Sequence, residues 1–390
     1  MRKLAILGST GSIGKNCLAV AKHLGKDAVE IVALAAGHNI DLLEQQAREF
    51  NPKLVAVYNT EKACELQKKL PHIPVLAGME GLKAVAVHDQ ANLIISAISG
   101  AVGLAPTLAA IRAKKNIGFA NKEVLVSGGE MVMSLVRQYG IELIPIDSEL
   151  TAIFQCLKNE NSKVVQRLLI TASGGPFRNY STAQLKEVTI EHALNHPNYR
   201  MGPKVTIDSS TLMNKGLEMI EAHWLFNVAL DKIEVIVHPQ QIIHSMVEFV
   251  DNSILAQMGD PDMLVPIQYA ITYPERVKGS LKPFDFAKNQ TLQFFLPDTD
   301  KFRCLKLAYD AIRRGGSLPC YMNAVNEVLV HRFLNKEISW QSIATNLEEL
   351  MLRHSVVPIT SFEDVLAVDE MARQEARVTK EVCNNNLHDF

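Results

Sequence analysis

Short apolar runs alternate with stretches of helical period through the first 150 residues. Leu4 to Leu7, Ile31 to Ala35, Leu54 to Val57, Leu93 to Ile98, Ile117 to Ala120 and Ile141 to Ile146 read as buried strands. Ile13 to Leu24 and Leu42 to Phe50 read as helices between them. Such alternation predicts a parallel sheet with helices on both faces, a doubly wound α/β fold. From about 150 to 273 the apolar runs crowd together: Val164 to Ala172, Val205 to Ile207, Ile233 to Val237, Ile243 to Phe249 and Ile254 to Met258. Fewer helices intervene, so a mixed or antiparallel sheet is expected there.

Pro274, Gly279, Pro283 and Pro297 mark a surface linker over 274–300. Beyond it the apolar residues recur at i, i+3 and i+4, as in Leu305, Ala308, Tyr309 and Ile312. Met322, Val325, Leu329 and Phe333 repeat the pattern, and so do Ile343, Leu347, Leu350 and Met351. These predict a small helical bundle. The expected organisation is a Rossmann-like domain at 1–149, a central α+β domain at 150–273, the linker, and a C-terminal helical domain at 301–390. The last dozen residues are expected to fray.

At 390 residues the chain is long enough for two or three domains with their own cores. A net charge of −2 leaves no electrostatic footprint for nucleic acid or anionic lipid, so neither is expected as a partner. Gln90 to Ile111 carries no charge, but Asn92, Ser96, Ser99, Gly100, Gly103 and Pro106 divide it into strand, turn and helix start. A span would need about 20 predominantly apolar residues, so no membrane segment is expected. Six scattered cysteines without a C-x-x-C pair, and the lack of a secretory or transit pattern, point to a reducing, cytoplasmic setting.

Candidate chemistry begins at Gly8-Ser9-Thr10-Gly11-Ser12-Ile13-Gly14, between the first strand and the first helix. G-x-x-G-x-x-G is a relative of the dinucleotide fingerprint, whose glycines let the backbone approach a pyrophosphate seated on the helix N-terminus. The second strand runs out through Ala35-Ala36-Gly37-His38-Asn39, with no carboxylate to hold a ribose 2′-hydroxyl. Nothing there repels a 2′-phosphate, and His38 could carry part of a positive charge toward it, so NADPH is favoured over NADH. The plain alternative is a glycine turn and a solvated histidine.

Asp147 and Glu149 flank Ser148 at the end of the strand Ile141 to Ile146. In an extended chain, residues i and i+2 share a face, so both carboxylates would aim at one spot. No lysine or arginine is close in sequence, which makes a divalent cation with oxygen ligands the chemical reading. The alternative is a carboxylate capping the next helix. Further on, Ser209 or Ser210 reads as the N-cap of a helix running to about Phe226. Thr211, Asn214, Lys215 and Glu218 share one face of it, opposite Met213, Leu217, Ile220 and Trp224. That polar stripe is either a wet helix face or an anion cradle followed by a third carboxylate.

Ser173-Gly174-Gly175-Pro176 offers a hydroxyl and backbone amides after a strand, though it also suits a plain turn. Lys122, between Asn121 and Glu123, stands at a strand's carboxyl end, where open α/β sheets bind ligands. His196 to Pro203, bounded by proline and glycine, reads as a lid or as an ordinary surface loop. His238 and His244 lie beside or within apolar strands and read first as structural.

Together these segments, with Gly259-Asp260-Pro261-Asp262-Met263, resemble the 1-deoxy-D-xylulose 5-phosphate reductoisomerase family. The resemblance spans most of residues 1–275 and implies a central catalytic domain. It implies a homodimeric enzyme of the non-mevalonate isoprenoid pathway, acting on a small phosphorylated ketose with NADPH and Mg2+ or Mn2+. By the same resemblance Asp147, Glu149 and Glu218 are the metal ligands, and Ser173, Ser209, Asn214 and Lys215 hold the phosphate. Lys122 and Ser148 hold the hydroxyl end, His244 and Met263 line the site, and His196, Tyr199 and Met201 belong to the closing loop. Gly8, Thr10, Gly11, Ser12, Ile13, Gly14, Gly37, His38, Asn39, Asn121, Glu123 and Gly202 are implied around the dinucleotide. Two positions depart from the family's habit: Tyr199 stands where Trp is usual, and His38 where a longer basic side chain is often found. Rival readings are another two-domain NADPH reductase, of the semialdehyde or homoserine dehydrogenase type, and a non-catalytic nucleotide sensor.

Overall fold

The computed structural model describes residues 1–198 and 201–380. The chain forms two compact units. The first comprises Met1–Val124, Val132–Gln155 and Asp262–Phe286; the second holds Leu125–Met131, Cys156–Pro261 and the chain from Ala287 on.

The first unit is built on seven strands: β1 (Arg2–Leu7), β2 (Val29–Ala36), β3 (Leu54–Val57), β4 (Val75–Ala77), β5 (Leu93–Ser96), β6 (Asn116–Phe119) and β7 (Leu143–Pro145). Their order is β4-β3-β2-β1-β5-β6-β7, and every pairing is parallel. The order reverses at β1, where Ile6 faces Leu34 on one side and Ile95 on the other. Leu4, Ile6, Leu34, Leu93 and Ile95 are fully buried, as expected of strands covered on both faces. Each such side chain contributes roughly 1.5–3 kcal/mol by leaving water. Ile267, Ala270 and Ile271, from the helix Leu264–Thr272, complete the same core.

The second unit carries a mixed sheet in the order β11-β10-β8-β9, with β8 (Val165–Ala172), β9 (Ile233–Val237), β10 (Ile243–Phe249) and β11 (Ile254–Met258). β10 is antiparallel to both β8 and β11, whereas β8 and β9 are parallel. One expected strand is absent: Val205 to Ile207 lies inside the helix Pro203–Ser210. Gly202 in the N-cap position and Pro203 at the first helical position start that helix, and the three residues Val205-Thr206-Ile207 were too few to fix a period.

The C-terminal part of this unit is helical: Arg303–Arg314, Leu318–Leu334, Trp340–Arg353 and Phe362–Val378. Met322, Val325, Leu329, Ile343 and Leu347 are fully buried, so the i, i+3, i+4 stripes do face a core. Among the described residues, no helix is long and apolar enough to cross a membrane. Tyr199 and the frayed tail expected at the end fall wholly or largely outside the described residues.

Candidate active site

In the first unit the glycine turn follows β1 and opens the helix Ser12–Leu24. Gly8 has φ +89°, and a Cβ there would lie 2.5 Å from the Ala97 carbonyl oxygen. A Cβ on Gly14 would lie 2.3 Å from the Gly8 carbonyl oxygen, so the first helical turn rests directly on the loop. Both positions exclude a side chain on steric grounds. Gly11 is the N-cap without a side-chain capping bond, and the first turn carries no acidic residue. Gly11 and Ser12 are exposed, and Thr10 and Ile13 are half-buried. A helix start of this kind suits an anion.

Gln46, which no motif pointed to, fixes the turn from behind. Ser9 Oγ bonds to Gln46 Oε1 at 2.8 Å, and Gln46 Nε2 donates to the Ser9 carbonyl at 2.9 Å. Gly37, His38 and Asn39 are exposed after β2. Asn39 Oδ1 accepts from the Leu42 amide at 3.2 Å and so caps the helix Ile40–Phe50. Asn121 is almost fully buried; its amide donates to the Ile98 and Gly100 carbonyls, while its Oδ1 has no hydrogen-bond partner among the described residues. Glu123 is buried in the first turn of the helix Lys122–Tyr139.

The two carboxylates after β7 differ from the extended arrangement expected of them. The helix Ser148–Cys156 begins at once, so Glu149 is already helical and the strand period no longer applies. Asp147 Oδ1 accepts from the Glu149 amide at 3.1 Å, a capping role. Its Oδ2 lies 3.1 Å from Lys122 Nζ, a cation that separation in sequence had hidden. Glu149 is buried and bonded by the Ser148 hydroxyl.

In the second unit, Ser209 and Ser210 close the helix Pro203–Ser210 rather than cap the one that follows. Leu212, in the left-handed region at φ +61°, separates that helix from Met213–Phe226. Thr211 therefore lies outside the second helix, and its Oγ1 accepts from the Met213 amide at 3.3 Å. The polar stripe is not wet: Lys215 and Glu218 are 6% and 1% exposed. Lys215 Nζ stands 2.6 Å from Glu218 Oε2, and Asn214 Nδ2 donates to the other oxygen.

Ser173 and His196 meet beside this stripe, with Ser173 Oγ 3.1 Å from His196 Nε2. The Asn198 amide donates to His196 Nδ1 at 3.2 Å, so the ring proton sits on Nε2 and points at the serine. Burial, then the Lys215 charge, holds the His196 pKa down to about 4 and keeps the ring neutral. Burial also lowers the His244 pKa, opposed by the backbone at Asp260 and Gly259. His238 is structural: its Nδ1 donates to the Gln293 carbonyl at 2.9 Å, and its Nε2 accepts from the Ile242 amide at 3.2 Å. Met201 is half-buried and Gly202 exposed in the second unit; Met263, half-buried, belongs to the first.

Sequence models of one family match three consecutive parts of the chain. 1-Deoxy-D-xylulose 5-phosphate reductoisomerase matches residues 4–129, its C-terminal domain 143–226, and a DXP reductoisomerase C-terminal domain 258–375. A 1-deoxy-D-xylulose 5-phosphate reductoisomerase of Protochlamydia amoebophila is 60% identical over 380 residues, 97% of this chain and 99% of its own. The chain belongs to the 1-deoxy-D-xylulose 5-phosphate reductoisomerase family.

Solved reductoisomerases share the fold. That of Zymomonas mobilis, in complex with NADPH, matches with TM-score 0.91 and 42% identity, covering 96% of this chain and 98% of its own. A reductoisomerase in complex with NADPH, fosmidomycin and magnesium matches with TM-score 0.92 and 37% identity, covering 97% and 98%.

Proposed function

We propose that the chain rearranges 1-deoxy-D-xylulose 5-phosphate and reduces the product with NADPH to 2-C-methyl-D-erythritol 4-phosphate, with a divalent metal bound. The 60% identity along nearly the whole of both chains carries this reading. The product's two additional hydrogens arrive as a hydride from NADPH and a proton. The glycine turn Gly8–Gly14, with Thr10, Gly11, Ser12 and Ile13, is the proposed pyrophosphate seat. Gly37, His38 and Asn39 are assigned to the 2′-phosphate end, Asn121 and Glu123 to the ribose, and Gly202 to the nicotinamide. The buried, unpartnered Oδ1 of Asn121 suits a donor from a ribose hydroxyl.

On the family resemblance, Asp147, Glu149 and Glu218 are the proposed metal ligands. The residues fit a hard cation: all donors are carboxylate oxygens, and Glu149 and Glu218 are buried, where an anion needs a compensating charge. When bound, the metal, Mg2+ or Mn2+, polarises the substrate carbonyl and offsets the negative charge of bond reorganisation. Ser173, Ser209, Asn214 and Lys215 bind the phosphate, with the His196 imidazole orienting the Ser173 hydroxyl. Lys122 and Ser148 hold the hydroxyl end of the substrate. His244 and Met263 line the site, and the loop with Tyr199 and Met201 excludes water from hydride transfer. A homodimer in the cytoplasm is the proposed setting, on the family resemblance; sedimentation tests the dimer.

NADPH absorbance, followed with 1-deoxy-D-xylulose 5-phosphate, tests the activity. Oxidation should stop on adding chelator and return with Mg2+ or Mn2+. Turnover indifferent to chelator would favour the dehydrogenase reading, and binding without oxidation would favour a sensor.

A further inference from the structure

Asp208 lies next to Ser209 on the helix Pro203–Ser210 and is 1% exposed. Burying a carboxylate is costly unless both oxygens are engaged. Here Asn326 Nδ2 donates to Asp208 Oδ1 at 2.9 Å, and Lys204 Nζ lies 2.8 Å from Oδ2. Asn326 is fully buried in the helix Leu318–Leu334, 118 residues away along the chain. Two residues beyond Asp208, Trp340 Nε1 donates to Ser210 Oγ at 2.8 Å. The Trp340 ring is itself braced edge-on by Phe177 and Phe302, at centroid distances of 5.3 and 6.4 Å.

The end of this short helix in turn supports the serine loop. Gly175 has φ +69°, and a Cβ there would stand 2.7 Å from the Ser209 carbonyl oxygen. The Gly175 amide donates to Ser173 Oγ at 3.1 Å. A continuous path thus runs from Asn326 through Asp208 to Ser209, then across the Gly175 contact to Ser173. The steps are hydrogen bonds at either end, the peptide link from Asp208 to Ser209, and the close backbone approach of Gly175 to Ser209, all within the second unit.

We infer that Asp208 is a positioning residue, through which Asn326 of the C-terminal helices fixes Ser209 and the Ser173 loop at the substrate's phosphate. Both Asp208 oxygens are engaged by Asn326 and Lys204, so in this reading it acts through its neighbours. This rests on the proposed function, which assigns the phosphate to those serines. A second hydroxyl set wrongly by a fraction of an ångström weakens phosphate binding but leaves the glycine turn of the first unit untouched.

The test compares Asp208→Asn, Asn326→Ala and the swapped pair Asp208→Asn with Asn326→Asp in the full-length enzyme. KM for 1-deoxy-D-xylulose 5-phosphate, kcat, the NADPH dissociation constant and the melting temperature are read for each. Loss of one charge-assisted hydrogen bond predicts a KM raised about tenfold in the single variants. The NADPH constant should stay within twofold, and the swap, which rebuilds a carboxylate–amide pair, should bring KM most of the way back. Asn326→Ala keeps the Lys204 pair and serves if Asp208→Asn fails to fold. KM unchanged in a folded single variant would overturn the inference. So would a raised KM that a folded swap variant does not recover. A wild-type protein that oxidises no NADPH would refute the function itself, an outcome separate from these.

Discussion

Replacing Lys215 with alanine separates the two roles proposed for the buried stripe. Lys215 Nζ and Glu218 Oε2 are 2.6 Å apart, with side chains 7% and 1% exposed. Breaking a buried pair by removing one partner typically costs about 3–5 kcal/mol, because the remaining charge is left in a poor dielectric. Asn214 still donates to Glu218, which places the expected loss near the lower end, about 3 kcal/mol. A divalent cation on Glu218 would supply the missing positive charge. The melting temperature of Lys215→Ala should therefore fall clearly in chelator and much less in Mg2+, each against wild type in the same buffer. Independently, losing a charge-assisted bond to phosphate, about 1.5–3 kcal/mol, should raise the apparent substrate constant by ten- to a hundredfold. Equal melting losses with and without metal would detach Glu218 from the cation. An unchanged substrate constant would show that the phosphate lies elsewhere.

Two further outcomes follow from the geometry. Gly14→Ala should weaken NADPH binding more than tenfold in a fluorescence titration, because the new Cβ meets the backbone of Gly8 and Ser9 at 2.3 and 2.5 Å; unaltered affinity would remove this turn from the cofactor site. His196, held down to about 4 by burial and by Lys215, binds its proton less readily folded than unfolded, where the value is about 6.5. Its contribution is thus complete above about pH 6.5 and is lost as pH falls toward 4, so stability rises with pH across that window. His196→Asn should flatten that part of a denaturant-midpoint profile between pH 6.5 and 4.5; an identical slope would show that other groups set it.

The parallel sheet was legible because its longer strands contain unbroken apolar runs, Leu4 to Leu7 in β1 and Ile31 to Ala36 in β2, the signature of burial on both faces. The helical tail was legible for a similar reason, since four-residue stripes such as Met322, Val325, Leu329 and Phe333 fix a period. Val205 to Ile207 failed because three β-prone residues outweighed the start signal of Gly202 and Pro203 just before them. Asp147 and Glu149 were picked out as a pair, but the strand-period geometry assigned to them was not theirs, since the helix begins one residue earlier than that argument required. Lys122 beside Asp147, Gln46 behind the glycine turn and Asn326 under Asp208 were invisible as partners. Pairings across 25 to 118 residues leave no periodic trace in one sequence, and an isolated buried amide resembles any surface asparagine until its neighbours are known.

Leu212 joins two helices at a sharp corner, with positive φ and only 3% of its surface exposed. A leucine in that conformation carries on the order of 1 kcal/mol of backbone strain, which the roughly 1.5–3 kcal/mol from hiding its side chain outweighs. Glycine would relax the bend and leave a hole; valine or isoleucine would fill the hole and worsen the bend. Opposing mechanical demands therefore confine the choice of residue at this spot. A leucine retained there in a sibling enzyme would record the shape of a joint and say nothing about turnover, although it lies three residues from Lys215.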